Sequence, residues 1–217
     1  MSNKTPAETY LSARAALLEE EKEATALLQS IAASRRTLPR VPIENPSHFK
    51  FDTPTGEKSL LDLFENRKQL IIYHFMLAPG EIQGCMGCTF CMDHIPNLCH
   101  LQSRDTSFVA IARASVSEIE AYKARMGWGF PFYSCAKTVE QWRAIEEEGG
   151  VVTWKPGNGY FGLDVFFKDG EDVWHTYGTT DRGVEGILST YALLDLTPLG
   201  RQEVGNGMNE FRRVDEY

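Results

Sequence analysis

The feature that most constrains this chain is the apolar run QLIIYHFM, residues 69 to 76, followed across the loop LAPGEIQG by C-M-G-C-T-F-C-M-D-H. An unbroken apolar run of this length fits a strand buried on both faces. A helix follows from about Met86 to Leu101, and the strand SFVAIAR lies beyond it at 107 to 113. Together they make a βαβ unit that carries its cysteines at the carboxyl end of the first strand. SVSEIEAYKARMG reads as a helix closed by Gly127, and LDVFFKDGEDVWHTYG as two strands turned at Asp169-Gly170. GVEGILSTYALLDL supplies a final helix, so the order is βαβα followed by ββα. Residues 137 to 160 interrupt that order as an insertion with helical and glycine-rich parts.

The cysteine spacing carries the chemistry. Two cysteines separated by two residues at a helix N-terminus can close a small disulfide ring, and the free amides of the first turn stabilise a thiolate there. Cys85 is the expected nucleophile. Cys88, one turn further in, is expected to keep its proton longer and to resolve the mixed disulfide. Such a pair requires no cofactor, and its substrate is a thiol or disulfide, protein or small molecule. Cys91 extends the series to C-x-x-C-x-x-C, while Asp93 and His94 follow as supporting residues. On a continuous helix His94 shares a face with Cys91 and would tune thiol protonation; otherwise it and Asp93 make structural hydrogen bonds.

Two other readings stand beside the dithiol one. Cys85, Cys88 and Cys91, with His94 as fourth ligand, offer a thiolate site for Zn or Cu(I). The spacing differs from the ferredoxin run, which disfavours an iron-sulfur cluster. Alternatively, Trp128, Phe130, Phe132, Tyr133, Trp154, Tyr160 and Phe161 line an apolar groove for a specialised enzyme or binding module, although ordinary core packing is the better account of most of them. On a continuous helix Cys99 lies about 16 Å from Cys88, so it and Cys135 read as buried hydrophobes rather than ligands. His74 and His175 read as satisfied core histidines.

Ahead of this domain, residues 6 to 36 place Tyr10, Ala13, Leu17, Ala24, Leu27, Leu28 and Ile31 at roughly helical spacing among the charges of EEEKE. That is a helical arm, expected to pack on the domain or on a second subunit in a homodimer. PRVPIENP then reads as an extended linker, which divides the chain into an arm and linker at 1 to 40 and a compact domain at 41 to 217. Acidic residues number 30 against 22 Lys and Arg, a formal charge of -8, which leaves no basic field for a nucleic acid. The opening residues lack the apolar core of a secretory signal, and no stretch reaches the roughly 18 apolar residues of a membrane span. The expectation is a soluble, cytoplasmic protein without membrane partners, and clustered cysteines in a reducing compartment point to redox or metal chemistry.

The motifs GCMGCTFCMDH after YHFM, FVAIARA, YKARMGWGFPFYS, VFFKDGEDVWHTYGTTDRGVE, YALLDLTPLGR and the terminal RRVDEY together resemble the thioredoxin-like proteins catalogued as domain of unknown function 899, over about residues 7 to 217. The resemblance implies an α/β thioredoxin-like fold, a central mixed sheet flanked by helices, and a dithiol-disulfide oxidoreductase role. It puts the family's cysteine pair on Cys85 and Cys88 and its Asp-His on Asp93 and His94. Cys91 departs from the family, many of whose members carry an aromatic residue there. A second departure is from thioredoxins proper. Gly162 or Leu163 stands where they have a cis-proline that guides peptide substrates and discourages metal binding, which weakens the protein-disulfide reading. The peroxiredoxin Pro-x-x-x-Thr-x-x-Cys signature is absent, since Pro79 precedes Cys85 by six residues.

Overall fold

The structure, a computed structural model, describes residues 4–156, 161–205 and 207–217. It divides into two compact units, Met1–Pro39 and Arg40–Tyr217. The first holds helix α1, Pro6–Arg36, opened by a capping box between Thr5 and Glu8, with Arg35 and Arg36 in the last turn where cations complement the helix dipole. α1 buries none of its residues, and Tyr10, Leu17, Leu27, Leu28 and Ile31 are all exposed along it.

The second unit is built on one mixed sheet. Its strands are β1 (Val41–Pro42), β2 (Lys50–Thr53), β3 (Gly56–Ser59), β4 (Gln69–His74), β5 (Thr106–Ala112), β6 (Phe132–Ser134), β7 (Gly162–Asp169) and β8 (Asp172–Thr179). They lie in the order β1-β8-β7-β4-β5-β6-β2-β3. β4 runs parallel to β5 and antiparallel to β7, and β7 and β8 form the hairpin turned at Asp169 and Gly170. The helices are α2 (Met86–Met92), α3 (Cys99–Gln102), α4 (Val116–Met126), α5 (Ala136–Glu147) and α6 (Ser189–Leu194). The run β4-α2-β5-α4 followed by β7-β8-α6, with β4 central, is the thioredoxin-like arrangement that the motifs implied.

The sheet separates two apolar layers because successive strand side chains point to opposite faces. From β4 and its continuation, Tyr73 and Phe75 join the layer that contains Cys88, Cys91 and the α4 residues Ile119 and Tyr122. Leu70 and Ile72 join the other, with Phe51, Trp142, Trp154 and Phe166. β5 alternates likewise, sending Phe108, Ala110 and Ala112 to the first layer and Val109 and Ile111 to the second. α4 begins with a capping box between Ser115 and Glu118 and ends on Gly127, whose φ of 72° suits a residue without a Cβ.

Three expectations from the sequence are corrected. The helix from Met86 to Leu101 is broken: α2 stops at Met92, the His94 and Ile95 amides close tight turns onto Cys91 and Met92, and α3 starts again only at Cys99. Pro96 explains the break, because it has no amide to donate and disfavours helical backbone at Ile95. The restart carries Cys99 to the surface, where it is exposed rather than buried, and the 16 Å estimate built on a continuous helix does not apply. The closing helix is also shorter than its sequence suggests: a 3-10 turn covers Asp181–Ile187, and Leu188, at ψ 86°, interrupts it before α6. Tyr160 lies outside the described residues. No described helix is long and apolar enough to cross a membrane.

Candidate functional site

β4 and the loop after it deliver Cys85 to the N-cap position of α2. The Cys85 amide donates to the Met76 carbonyl oxygen at 3.0 Å, tying the start of the helix to the continuation of the strand. Cys85 is half-buried, while Cys88 and Cys91 are each 1% exposed. All three are free thiols, and all three line one cavity of about 290 Å³ with Met76, Phe161, Asp181, Arg182, Met208 and Asn209.

The three thiols are electrostatically unequal. The Cys88 thiol donates to the Cys85 sulfur. With the Cys88 and Gly87 amides and the nearby Arg213 charge, it outweighs burial and brings the Cys85 thiol down to about 6. Seen from Cys88, the same interaction, followed by burial and the Cys85 charge, raises the thiol well above its ordinary range. Burial pushes the Cys91 thiol up to about 11. Beneath them the wholly buried Tyr73 hydroxyl has no nitrogen or oxygen partner and faces the sulfurs of Cys88 and Cys91.

Buried polar side chains around the cysteines fix the loop. Arg213, itself buried, donates from Nη2 to the Gly84 carbonyl oxygen at 2.8 Å and from Nε to the Tyr122 hydroxyl oxygen at 3.0 Å. Thr89 Oγ1 donates to the Cys85 carbonyl oxygen at 2.8 Å, so the 2.7 Å contact between Thr89 and Tyr122 is donated by the Tyr122 hydroxyl. The chain of bonds thus runs in one direction from a guanidinium to the backbone of the nucleophile. The segment that carries Arg213 also covers the helix start. Asn209 Oδ1 accepts from the Gly87 amide at 3.1 Å, and Phe211 stacks on Phe90 with ring centroids 4.1 Å apart. A Cβ on residue 87 would fall 2.7 Å from Asn209 Oδ1, so any side chain there would have to displace Asn209.

Asp93 and His94 belong elsewhere. Asp93 Oδ1 accepts from Trp128 Nε1 at 2.8 Å, and burial pushes its carboxyl up. His94 Nδ1 donates to the Phe90 carbonyl oxygen, and in the neutral ring its Nε2 accepts from Thr190 Oγ1 at 2.6 Å. Both ring nitrogens are thereby engaged, so the four-ligand set of Cys85, Cys88, Cys91 and His94 does not assemble. Among the described residues no group of three or more His, Cys, Asp or Glu is arranged to hold a metal ion. Of the aromatic set, Phe161 lines the thiol cavity, whereas Phe130, Phe132 and Trp154 are core.

The other face of the sheet holds a buried polar cluster. His74, Asp164 and His175 are 3%, 5% and 7% exposed. His175 Nε2 donates to Asp164 Oδ1 at 2.8 Å, and His74 Nε2 lies 2.7 Å from Oδ2, out of line for a good hydrogen bond. Burial opposes ionisation of Asp164, but the two histidines outweigh it and hold the carboxyl below its ordinary range. Gly178 makes room, since a Cβ there would meet Asp164 Oδ1 at 2.6 Å. A larger cavity of about 360 Å³ opens on this side, lined by His74, Trp142 and Cys135, and it shares only Met76 with the thiol cavity. Its one thiol is Cys135, pushed up to about 12 by burial, so the reactive sulfur sits in the smaller cavity.

The model of the family described as bacterial protein of unknown function (DUF899) matches residues 2–217. This chain belongs to the DUF899 family. No curated protein matches it. Among solved structures it is similar to peroxiredoxin Q of Xanthomonas campestris, with 15% identity, a TM-score of 0.44, and coverage of 72% of this chain and 96% of the other. A PrxQ mutant of Xylella fastidiosa gives 13% identity, a TM-score of 0.44, and 72% and 96% coverage. Peroxidoxin BcpB from Mycobacterium tuberculosis gives 18%, 0.40, and 71% and 95%. Similarity this distant says nothing about activity.

Sequence reasoning missed Arg213, Asn209 and Met208 as site residues; they lie more than 100 residues from Cys85, Cys88 and Cys91, and only Arg213, inside the motif RRVDEY, carried a signal.

Proposed function

We propose that this DUF899 protein is a thiol-disulfide oxidoreductase that works through Cys85 and Cys88. The observation that carries the reading is the contrast within one helical turn: a half-exposed thiol held near 6 at the helix start beside a buried thiol that keeps its proton. The Cys85 thiolate attacks a substrate disulfide, forms a mixed disulfide with one sulfur and releases the other as a thiolate. Cys88 then attacks the Cys85 sulfur, giving its proton to the first leaving thiolate, and the second substrate thiolate departs. Two electrons pass from the protein to the substrate, and a dithiol reductant restores the pair. Arg213 acts as a positioning residue through Gly84, Tyr122 and Thr89.

Trapping tests the reading. Cys88→Ser, and more cleanly Cys88→Ser with Cys91→Ser, should accumulate a mixed disulfide on Cys85, whereas Cys85→Ser should accumulate none. Mass analysis of adducts after incubation with bis(2-hydroxyethyl) disulfide reads the result. No adduct on either resolving-thiol variant, with no disulfide reduction by the wild type, would refute it.

A further inference from the structure

Several backbone groups around the thiols are already bonded within the fold. Peptide substrates commonly dock by strand-like pairing, in which free main-chain amides and carbonyls give the affinity. Here the Gly84 carbonyl oxygen accepts from Arg213, the Gly87 amide donates to Asn209, and the Phe161 carbonyl oxygen accepts from Thr180 Oγ1 at 2.7 Å. The Cys85 amide and carbonyl are likewise spent on Met76 and Thr89. The Cys85, Gly87 and Phe161 groups border the cavity of about 290 Å³, and a peptide carbonyl seeking the Cys85 or Gly87 amide would have to displace a bond that the fold makes to itself.

The segment from Met208 to Arg213 also forms a roof. Met208 is buried, Asn209 is bonded to the first turn of α2, Phe211 is stacked on Phe90, and Arg213 is anchored beneath. What remains is a small chamber with sulfur and apolar walls from Met76, Met208 and Phe161, and with Asp181 and Arg182 contributing charge. Its volume lies at the lower limit of small-molecule sites. Resting on the dithiol reading, we infer that the substrate class is a low-molecular-weight disulfide, and that the roof excludes disulfides of folded proteins and peptides. The electron and proton balance is that given for the general exchange, with both substrate sulfurs leaving as small thiols.

The test is a single-turnover comparison on the full chain. Fully reduced protein is mixed with bis(2-hydroxyethyl) disulfide or with insulin, quenched in acid, alkylated, and the Cys85–Cys88 disulfide is counted by mass. Each rate is divided by that of dithiothreitol with the same disulfide, which removes intrinsic reactivity. The normalised preference for the small disulfide should be about 100-fold or more. Phe211→Ala, which unpins the roof, and Asn209→Ala, which frees the Gly87 amide, should each reduce that preference about tenfold in favour of insulin. Insulin matching the small disulfide in the wild type, or a preference unchanged in both variants, overturns the roof while leaving dithiol exchange intact. If neither disulfide oxidises the wild type, the dithiol reading falls and the roof inference falls with it.

Discussion

The two faces of β4 put polar groups to opposite uses. Tyr73 points to a layer in which Arg213, Tyr122 and Thr89 converge, through a directed series of bonds, on the backbone of one half-exposed cysteine. His74, the next residue, points to a cluster in which Asp164 accepts from His175 and lies 2.7 Å from His74 Nε2, while the remaining His175 nitrogen meets Thr153 Oγ1. The first arrangement leaves a thiol reactive. The second is closed on itself, as buried charge must be if it is not to cost stability. Burial alone therefore does not mark function in this molecule; what distinguishes the thiol face is that its hydrogen bonds end on the backbone of a half-exposed cysteine.

The largest effect expected from breaking this contrast is on the thiol face. Cys85→Ser should abolish disulfide exchange in stopped-flow assays while moving the urea midpoint little, because Cys85 is only half-buried. On the other face, Asp164→Ala should destabilise the fold by about 3–5 kcal/mol in urea unfolding, since two buried imidazoles lose their partner. The pH profile of Cys85 alkylation should stay in place in that variant. The Asp164 carboxyl is depressed in the folded state, so its contribution is present above its unfolded value near 3.9 and fades as pH falls through the lower folded value. Acid unfolding should accordingly begin at higher pH in Asp164→Asn than in the wild type, read by circular dichroism.

A smaller effect concerns the Cys85 profile itself. With the thiol at about 6, iodoacetamide alkylation should rise between pH 5 and 7 and then level off, because about nine in ten groups are already thiolate at pH 7. Arg213→Gln should shift that profile to higher pH by a few tenths of a unit to about one unit, since the guanidinium charge is one contribution among several. A profile centred near 8.5 in the wild type would remove the electrostatic account. Smallest of all, Tyr73→Phe should change stability by less than about 1 kcal/mol, because the hydroxyl removed has no oxygen or nitrogen partner to strand.

Local order was readable from the chain. The apolar run at 69 to 76, the Asp169-Gly170 turn and the Gly127 stop each depend on a few adjacent residues, and each falls where the pattern put it. The break after Met92 was also encoded, in Pro96, but the helical spacing of the cysteines masked it and led to a buried Cys99 that is in fact exposed. His74 and His175 were legible as core residues one at a time. That they share Asp164 was not, because the three sit on three strands brought together by the order of the sheet. Arg213 shows the same limit: a terminal arginine reads as surface charge unless the tertiary fold supplies the carbonyl and hydroxyl that bury it.

The bond from Trp128 to Asp93 has an optical consequence. Asp93 is the residue that closes α2, the helix bearing all three clustered thiols, and Trp128 packs against their layer. Trp142 and Trp154 lie across the sheet and Trp174 on the outer hairpin, so the four indoles are sorted by position. The indole bonded to the residue that ends α2 is therefore expected to report closure of a disulfide at the start of that helix as a change in emission. Trp128 should thus serve as an intrinsic fluorophore for the redox state of the pair, read alone once Trp142, Trp154 and Trp174 are replaced by phenylalanine.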